Sequence, residues 1–415
     1  MSTRALSQPA ALGAPALLAA YQAEMATELT RITDFWLRHA VDEVHGGFIG
    51  QMDENGQVVA NADKGAILNA RILWTFAAAY RHTQQPEHLS AATRALKYFL
   101  KYFIDEKHGG VYWLLDAQGR ALNPRKQIYA LAFAIYGLSE YHLATGDARA
   151  LTASQALFEW IEAHSYDPAR GGYLEAVGRT GEPLADPRLS EKDRPAPKTM
   201  NTHLHVLEAY TNLYRCWPDA HLAECLGGLL HTFLTHIIDA RTGHLQLFFD
   251  LGWQPVADLV SYGHDIEAAW LLREAAEVLG EAALLAQVNA AAARLVQVTA
   301  AAQLPDGSLP HELDRATGHL DQHREWWVSA EAMVGFLDGY AQTHDEALLR
   351  RSYQAWQFAQ RHLLDTNLGE WRWGVEADCQ PMCGQDKIGF WKCPYHNARA
   401  CLEVLHRCRA LTRPT

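Results

Sequence analysis

The stretch HGGVYWLLDAQGRAL, His108–Leu122, is one of six of its kind, and their recurrence decides the fold. Its counterparts are HGGFIGQMDENGQV (His45–Val58), RGGYLEAVGRTGEPL (Arg170–Leu184), TGHLQLFFDLGWQPV (Thr242–Val256), DGSLPHELDRATGHL (Asp306–Leu320) and LGEWRWGVEADCQPM (Leu368–Met382). Their marker glycines, Gly47, Gly110, Gly172, Gly243, Gly307 and Gly369, stand 62 to 71 residues apart. Aromatic or β-branched residues around a glycine turn predict short β-hairpins. A period of this length is the signature of a repeat architecture.

Between the hairpins lie helix-period segments, usually in pairs, for example Lys64–His82 with Glu87–Ile104, Lys126–Ala144 with Arg149–His164, and Trp327–Thr343 with Glu346–Leu364. Adding Ala16–Val41 and Tyr395–Leu411 gives about twelve helices. Six helical pairs can stack as an open solenoid or close into a ring. A solenoid has shorter repeats and polar capping units, whereas the last repeat here is rich in aromatics and cysteines. The expectation is an all-α, closed (α/α)6 barrel with the hairpin loops at one mouth. No Pro- or Ser-rich linker divides the chain, so residues 1–415 read as one domain, with 1–15 a flexible lead-in.

Composition narrows the function. A net charge of −12 without a basic run argues against nucleic acid or an anionic membrane as partner. No apolar run approaches the ~20 residues that span a bilayer. The N-terminus lacks a clear apolar signal core, and seven cysteines in no regular framework suit a reducing compartment. The expectation is a cytoplasmic protein, monomer or weak homodimer, acting on a small molecule.

The segment KTMNTHLHVLEAYTNLYR, Lys198–Arg215, carries two histidines, two asparagines and a glutamate inside an otherwise apolar helix. Each is costly to bury without a partner. At ~100° per residue, Asn201, His205, Glu208 and Asn212 form one narrow stripe. A surface helix has the opposite proportions, so this helix is expected on the inner ring with its stripe toward a wet lumen. His203 falls on the far side and reads as a core histidine. Two further segments repeat the pattern. SYGHDIEAAWLL sets Glu267 three residues after His264, where a carboxylate can orient the imidazole. CPYHNARACLEVLHR aligns His396, Arg399, Glu403 and Arg407. A single His–Glu pair is commonly a surface ion pair worth under ~1 kcal/mol, but three on three inner helices point to proton-transfer chemistry.

Other constellations carry less. Cys379, Cys383, Cys393 and His396 have a spacing that matches no common zinc module, so no metal is expected. There is no phosphate-binding loop, dinucleotide fingerprint or nucleophile elbow, and no cofactor is expected. Among thirteen tryptophans, Trp326, Trp327, Trp371, Trp373 and Trp391, with Tyr129, are either core or platforms for sugar rings.

Taken together, KGAILNARILWTF, KTMNTHLHVLEAYTNLYR, SYGHDIEAAWLL, REWWVSAEA and FWKCPYHNARACLE resemble the cellobiose 2-epimerases of the N-acylglucosamine 2-epimerase superfamily, from about Lys64 to Glu403. The resemblance implies an (α/α)6 barrel and reversible epimerisation at C2 of the reducing-end glucose in β-1,4-linked disaccharides, with no metal or nucleotide. It assigns the acid/base pair to His264 and His396, and sugar contact and ring opening to His205. Glu267 would orient or tune a neighbouring histidine, and Arg71 would stabilise the oxyanion. Asn201 and Tyr129 would hydrogen-bond the substrate, and Trp327, Trp391 and Trp373 would hold its rings. Asp193, in LSEKDRPAPK, is a further substrate contact, although the residues after it depart from the family pattern. Ala400 stands where a bulkier side chain is expected, which bears on packing only. Three other readings stay open: an aldose–ketose isomerase or N-acylglucosamine 2-epimerase on the same barrel, an inverting glycoside hydrolase with two separated carboxylates, and a non-catalytic sugar-binding protein.

Overall fold

The computed structural model describes residues 12–412. Among these, twelve α-helices alternate between two concentric rings. The inner ring is α2 (Ala66–Thr83), α4 (Ile128–Thr145), α6 (Met200–Cys216), α8 (Tyr262–Leu279), α10 (Trp326–Thr343) and α12 (Tyr395–Thr412). The outer ring is α1 (Ala14–His39), α3 (Pro86–Tyr98), α5 (Ala148–His164), α7 (Ala220–Thr232), α9 (Ala282–Ala302) and α11 (Glu346–Phe358). Each inner helix packs on its two inner neighbours, and α12 closes the circle by packing against both α10 and α2. The closed (α/α)6 barrel read from the repeat is the observed fold. The flexible lead-in expected over residues 1–15 lies outside the described residues as far as residue 11, and its last two residues already belong to α1.

Sequence explains the two rings. Along α4, IYALAFAIYGLSEYHLAT, every residue from Ile128 to Tyr141 is buried, as required of a helix surrounded on all sides. Helix α3 buries only one face. Inner helices approach closely where glycines allow it: a Cβ on Gly137 would lie 2.7 Å from the Ala70 carbonyl, and one on Gly335 would lie 2.6 Å from that of Ile266. Three outer helices, α3, α7 and α11, each run on into a single π-helical turn, so Phe99–Phe103 and Ala359–Leu363 fall inside the helices expected there.

The hairpins gather at the mouth where the inner helices begin. The two or three residues before each inner helix pair antiparallel with the hairpin of the next repeat: Lys64–Gly65 with Leu114–Leu115, Lys126–Gln127 with Ala176–Val177, and Lys198–Thr199 with Phe248–Phe249. Leu259–Ser261 with Glu312–Asp314 and Arg324–Glu325 with Gly374–Val375 continue the series. A bridge between Met52 and Ile388 completes it, joining the last repeat to the first.

All six marker glycines have positive φ, from +63° at Gly47 to +95° at Gly307, a region closed to most side chains. In five repeats an aspartate near the start of the hairpin meets a buried cation that follows it. The pairs are Lys64–Asp42 (2.6 Å), Lys126–Asp105 (3.0 Å), Lys198–Asp167 (2.9 Å), Arg324–Asp306 (3.4 Å) and Lys387–Asp365 (2.7 Å). The fourth repeat has no such lysine; there Asp265 at the start of α8 accepts from the Leu245 N–H and pairs with His244 at 2.6 Å. These clamps fix the loops from which the mouth is built. Lys64 is almost fully buried and also donates to the Gly46 carbonyl at 2.7 Å. Replacing it with methionine leaves Asp42 unpaired, so Lys64→Met is expected to destabilise by about 3 kcal/mol. A urea midpoint unchanged from the parent would contradict that role.

Candidate active site

Four inner helices meet at one guanidinium. Arg399, on α12, is fully buried. It donates to Glu208 on α6, to Glu267 on α8 at 2.6 Å and to Glu331 on α10 at 2.7 Å. Its plane lies over Trp270 and Tyr395, 4.8 and 4.4 Å from the ring centroids. Three carboxylates against one cation leave excess negative charge away from water. Burial and the neighbouring Glu331 therefore push the Glu267 carboxyl well above its ordinary range, against the pull of Arg399. Glu208 goes the other way: Arg399 and His205 overcome its burial and hold it low.

Two histidines hang from the same carboxylates. His396 Nδ1 lies 2.7 Å from Glu331, and His205 Nδ1 lies 2.9 Å from Glu208. A carboxylate at Nδ1 places the proton there and leaves Nε2 as the working nitrogen. His264 is held differently, with Ser261 Oγ 2.8 Å from its Nδ1. Both His264 and His396 lie against Trp327, with ring centroids 4.8 and 5.8 Å from it. Burial is the main force that lowers all three imidazoles. His264, near His205 and His311, is pushed down to about 3, and Arg71 and Arg399 add to the effect at His396.

The remaining expected residues surround these. Arg71 is held over Phe133 and Tyr395, at 4.2 and 4.9 Å, and donates to the Tyr129 hydroxyl at 2.7 Å. Tyr129 packs edge-on against His205 at 4.8 Å and Trp391 at 6.0 Å. Glu325 accepts from Trp327 Nε1 at 2.6 Å and Trp373 Nε1 at 3.2 Å, so one carboxylate sets both indoles. Asn201 and Asp193 share a cleft with His264, Glu175 and Glu312. Asn201 Oδ1 is buried without a partner, whereas Asp193 accepts from Ser190 N and Oγ at 2.8 and 2.9 Å. Burial raises the Glu175 and Glu312 carboxyls to about 7.

Three expectations need correction. Glu267 does not orient His264 three residues before it, because its carboxylate turns to Arg399 while Ser261 takes the ring. Asn212 does not face a wet lumen; its Nδ2 bonds Ser139 Oγ at 3.0 Å and Glu140 at 3.2 Å, tying α6 to α4. Arg399 and Glu331 carry more of the site than a reading by helix face assigns. His396 takes its carboxylate from Glu331, 65 residues away, and not from Glu403 on its own helix, which pairs with Arg407. His203 is the core histidine expected of it, with Nδ1 2.6 Å from the Thr199 carbonyl and Nε2 accepting from Tyr173 N at 2.8 Å.

Among the described residues, Glu267, Glu331 and His396 place ligating atoms close enough for a metal ion, but Arg399 already takes the oxygens at their centre. Cys379, Cys383, Cys393 and His396 form no such group among these residues.

An (α/α)6 barrel whose mouth leads to anchored imidazoles, a buried arginine and aromatic walls is the frame of an enzyme that moves protons on a small polar substrate. The chain belongs to the N-acylglucosamine 2-epimerase family, whose sequence profile matches residues 47–400, and it is an epimerase, in the isomerase class. It is 49% identical to a cellobiose 2-epimerase of Bacteroides fragilis, over 92% of this chain and 98% of that one. A cellobiose 2-epimerase of Ruminococcus albus is 38% identical over 92% of this chain and 98% of its own length. The solved cellobiose 2-epimerase of Bacillus thermoamylovorans B4167 superposes with a TM-score of 0.90 at 38% identity, covering 94% of this chain and all of the other.

Removing the central cation tests the site's electrostatics. Arg399→Met leaves Glu208, Glu267 and Glu331 without their guanidinium and is expected to destabilise by about 3–5 kcal/mol at pH 8. Those carboxyls then have folded pKa values above their unfolded ones, so the penalty shrinks as falling pH protonates them. Urea midpoints of parent and variant at pH 8 and pH 5 should converge toward the lower pH; a gap that widens there would refute this account.

Proposed function

We propose that this protein reversibly epimerises C2 of the reducing-end glucose in β-1,4-linked disaccharides, taking cellobiose to glucosylmannose and lactose to epilactose. The relatives' substrate supports the reading, and one observation carries it: His264 and His396 are separately anchored through Nδ1 and lie against the same Trp327 ring.

The chemistry follows from the acidity of a proton next to a carbonyl. A cyclic hemiacetal has none, so the ring opens first, with one proton leaving O1 and one reaching O5. His205, backed by Glu208, assists that exchange. A neutral imidazole of the His264/His396 pair then takes the C2 proton. The resulting cis-enediolate is stabilised by Arg71, and after rotation the other ring, as imidazolium, returns a proton to the opposite face. The two rings have then exchanged protonation states, which suits them to the reverse reaction. The site needs one proton more than neutral imidazoles supply. Burial and the two guanidiniums oppose that proton, and the Glu331 carboxylate, in direct contact with His396, is the group that stabilises it there.

Asn201, with its unpartnered acceptor, and Tyr129 bind substrate hydroxyls. Asp193 lines the outer part of the cleft, and Trp327, Trp391 and Trp373 hold the rings. We take residues 1–415 to work as one barrel domain, a monomer or weak homodimer in the cytoplasm, without nucleic acid, membrane or cofactor. The acidic net charge supports that view, and no described helix is long and apolar enough to cross a membrane.

Cellobiose turned over in D2O should acquire deuterium at C2 of the product, and NMR showing full retention of the original hydrogen would exclude proton transfer through solvent-exchangeable rings. His264→Ala and His396→Ala should each lose at least 1,000-fold in kcat while keeping the parent's melting temperature within a few degrees; wild-type turnover by either removes it from the mechanism. Glu331→Gln, which keeps the shape but not the charge behind His396, should lower kcat by about 10²-fold. Unchanged turnover would separate Glu331 from the chemistry.

A further inference from the structure

Outside the barrel, on the face where α5 meets α7, Glu162, His221 and Cys225 place a carboxylate oxygen, a ring nitrogen and a thiol sulfur all within 4.8 Å of one another. His221 and Cys225 are four residues apart on α7, so both side chains project from one face of the helix. Glu162 reaches them from the last turn of α5. We propose that these three residues bind a divalent transition metal ion of the zinc type, with solvent in the fourth position.

The donor set suits such an ion. One thiolate, one imidazole and one carboxylate are the ligand types that zinc takes in tetrahedral sites, and adjacent ligands there stand about 3–4 Å apart. The gap closes by side-chain rotation, since His221 is exposed and Cys225 is half-buried. The carboxylate is also supported from behind. Tyr173 and Tyr210 donate their hydroxyls to the same Glu162 oxygen, at 2.8 and 2.6 Å, which fixes the group. Hydrogen bonds of this kind orient the ligands of metal sites. The hydrogen-bond donors to Glu162 are the two tyrosine hydroxyls and the Cys225 thiol. Burial and the Glu162 charge push the Cys225 thiol up. A thiol that ligates as thiolate releases its proton to solvent on binding.

The ion would tie α5 to α7 on the outside of the ring, away from the histidines of the mouth, and it takes no part in the proposed epimerisation. Cobalt(II) is the probe, because a thiolate ligand gives it a charge-transfer absorption in the near ultraviolet. Titrated into the untagged full-length protein, it should produce that band with one equivalent, and zinc should bleach it. Cys225→Ser should remove the band, and His221→Asn, a change at an exposed position, should weaken binding at least tenfold. Affinity should fall as pH is lowered. A protein without the band, a band that survives in Cys225→Ser, or a His221→Asn variant that binds as the parent does would each overturn the proposal.

Discussion

The guanidinium of Arg399 is the interaction on which the interior depends. Apolar packing closes most of this barrel, but a helix ring alone would not place three acids at one point on its axis. Burying a carboxylate costs several kcal/mol unless it is paired and hydrogen-bonded. Arg399 offers donors in a fixed planar fork, enough to serve Glu208, Glu267 and Glu331 from three different helices. With those acids held, His205 and His396 acquire fixed Nδ1 partners and therefore fixed rings. These two rings inherit their positions from Arg399 through the carboxylates they share with it.

The mouth is held by a different device, repeated in five of the six loops. A buried lysine or arginine reaches an aspartate that also caps the hairpin's first turn, as Asp42 does for the N–H groups of Val44 and His45. The cation sits in or beside the short strand that leads into the next inner helix, so the ion pair fixes the loop relative to that helix. The backbone pairings between successive repeats then link the loops around the rim. A cleft made of loops can be as rigid as one made of helices when its turns are cross-tied in this way, and rigidity of the first contacts is what positioned catalysis requires.

Much of this was legible in the chain before any coordinates. The marker glycines announce the repeat because only glycine accommodates the turn they occupy, and the inner helices show themselves by being apolar on every face. The stripe Asn201–His205–Glu208 is legible for a related reason: a polar line on such a helix must meet partners inside the ring, here the cleft for Asn201 and Arg399 for Glu208. Helical periodicity fails where partners sit on different helices. It suggests Glu267 for His264 and Glu403 for His396, each from the same helix, whereas the structure uses Ser261 and Glu331. Asn212 misleads in a related way, since an interhelical hydrogen bond and a lumen contact leave the same mark on a helical wheel.

The position of α12 has a consequence for how the protein comes into being. Helix α12 supplies both Arg399 and His396, and it packs against α2 and α10 at once. Until it arrives, Glu208, Glu267 and Glu331 have no cation, and the gap between the first and last repeats stands open to water. The buried ion cluster and the anchoring of His396 are thus completed together, by the docking of α12. Closing the ring in this way joins contacts far apart in sequence, and topology of that kind slows folding.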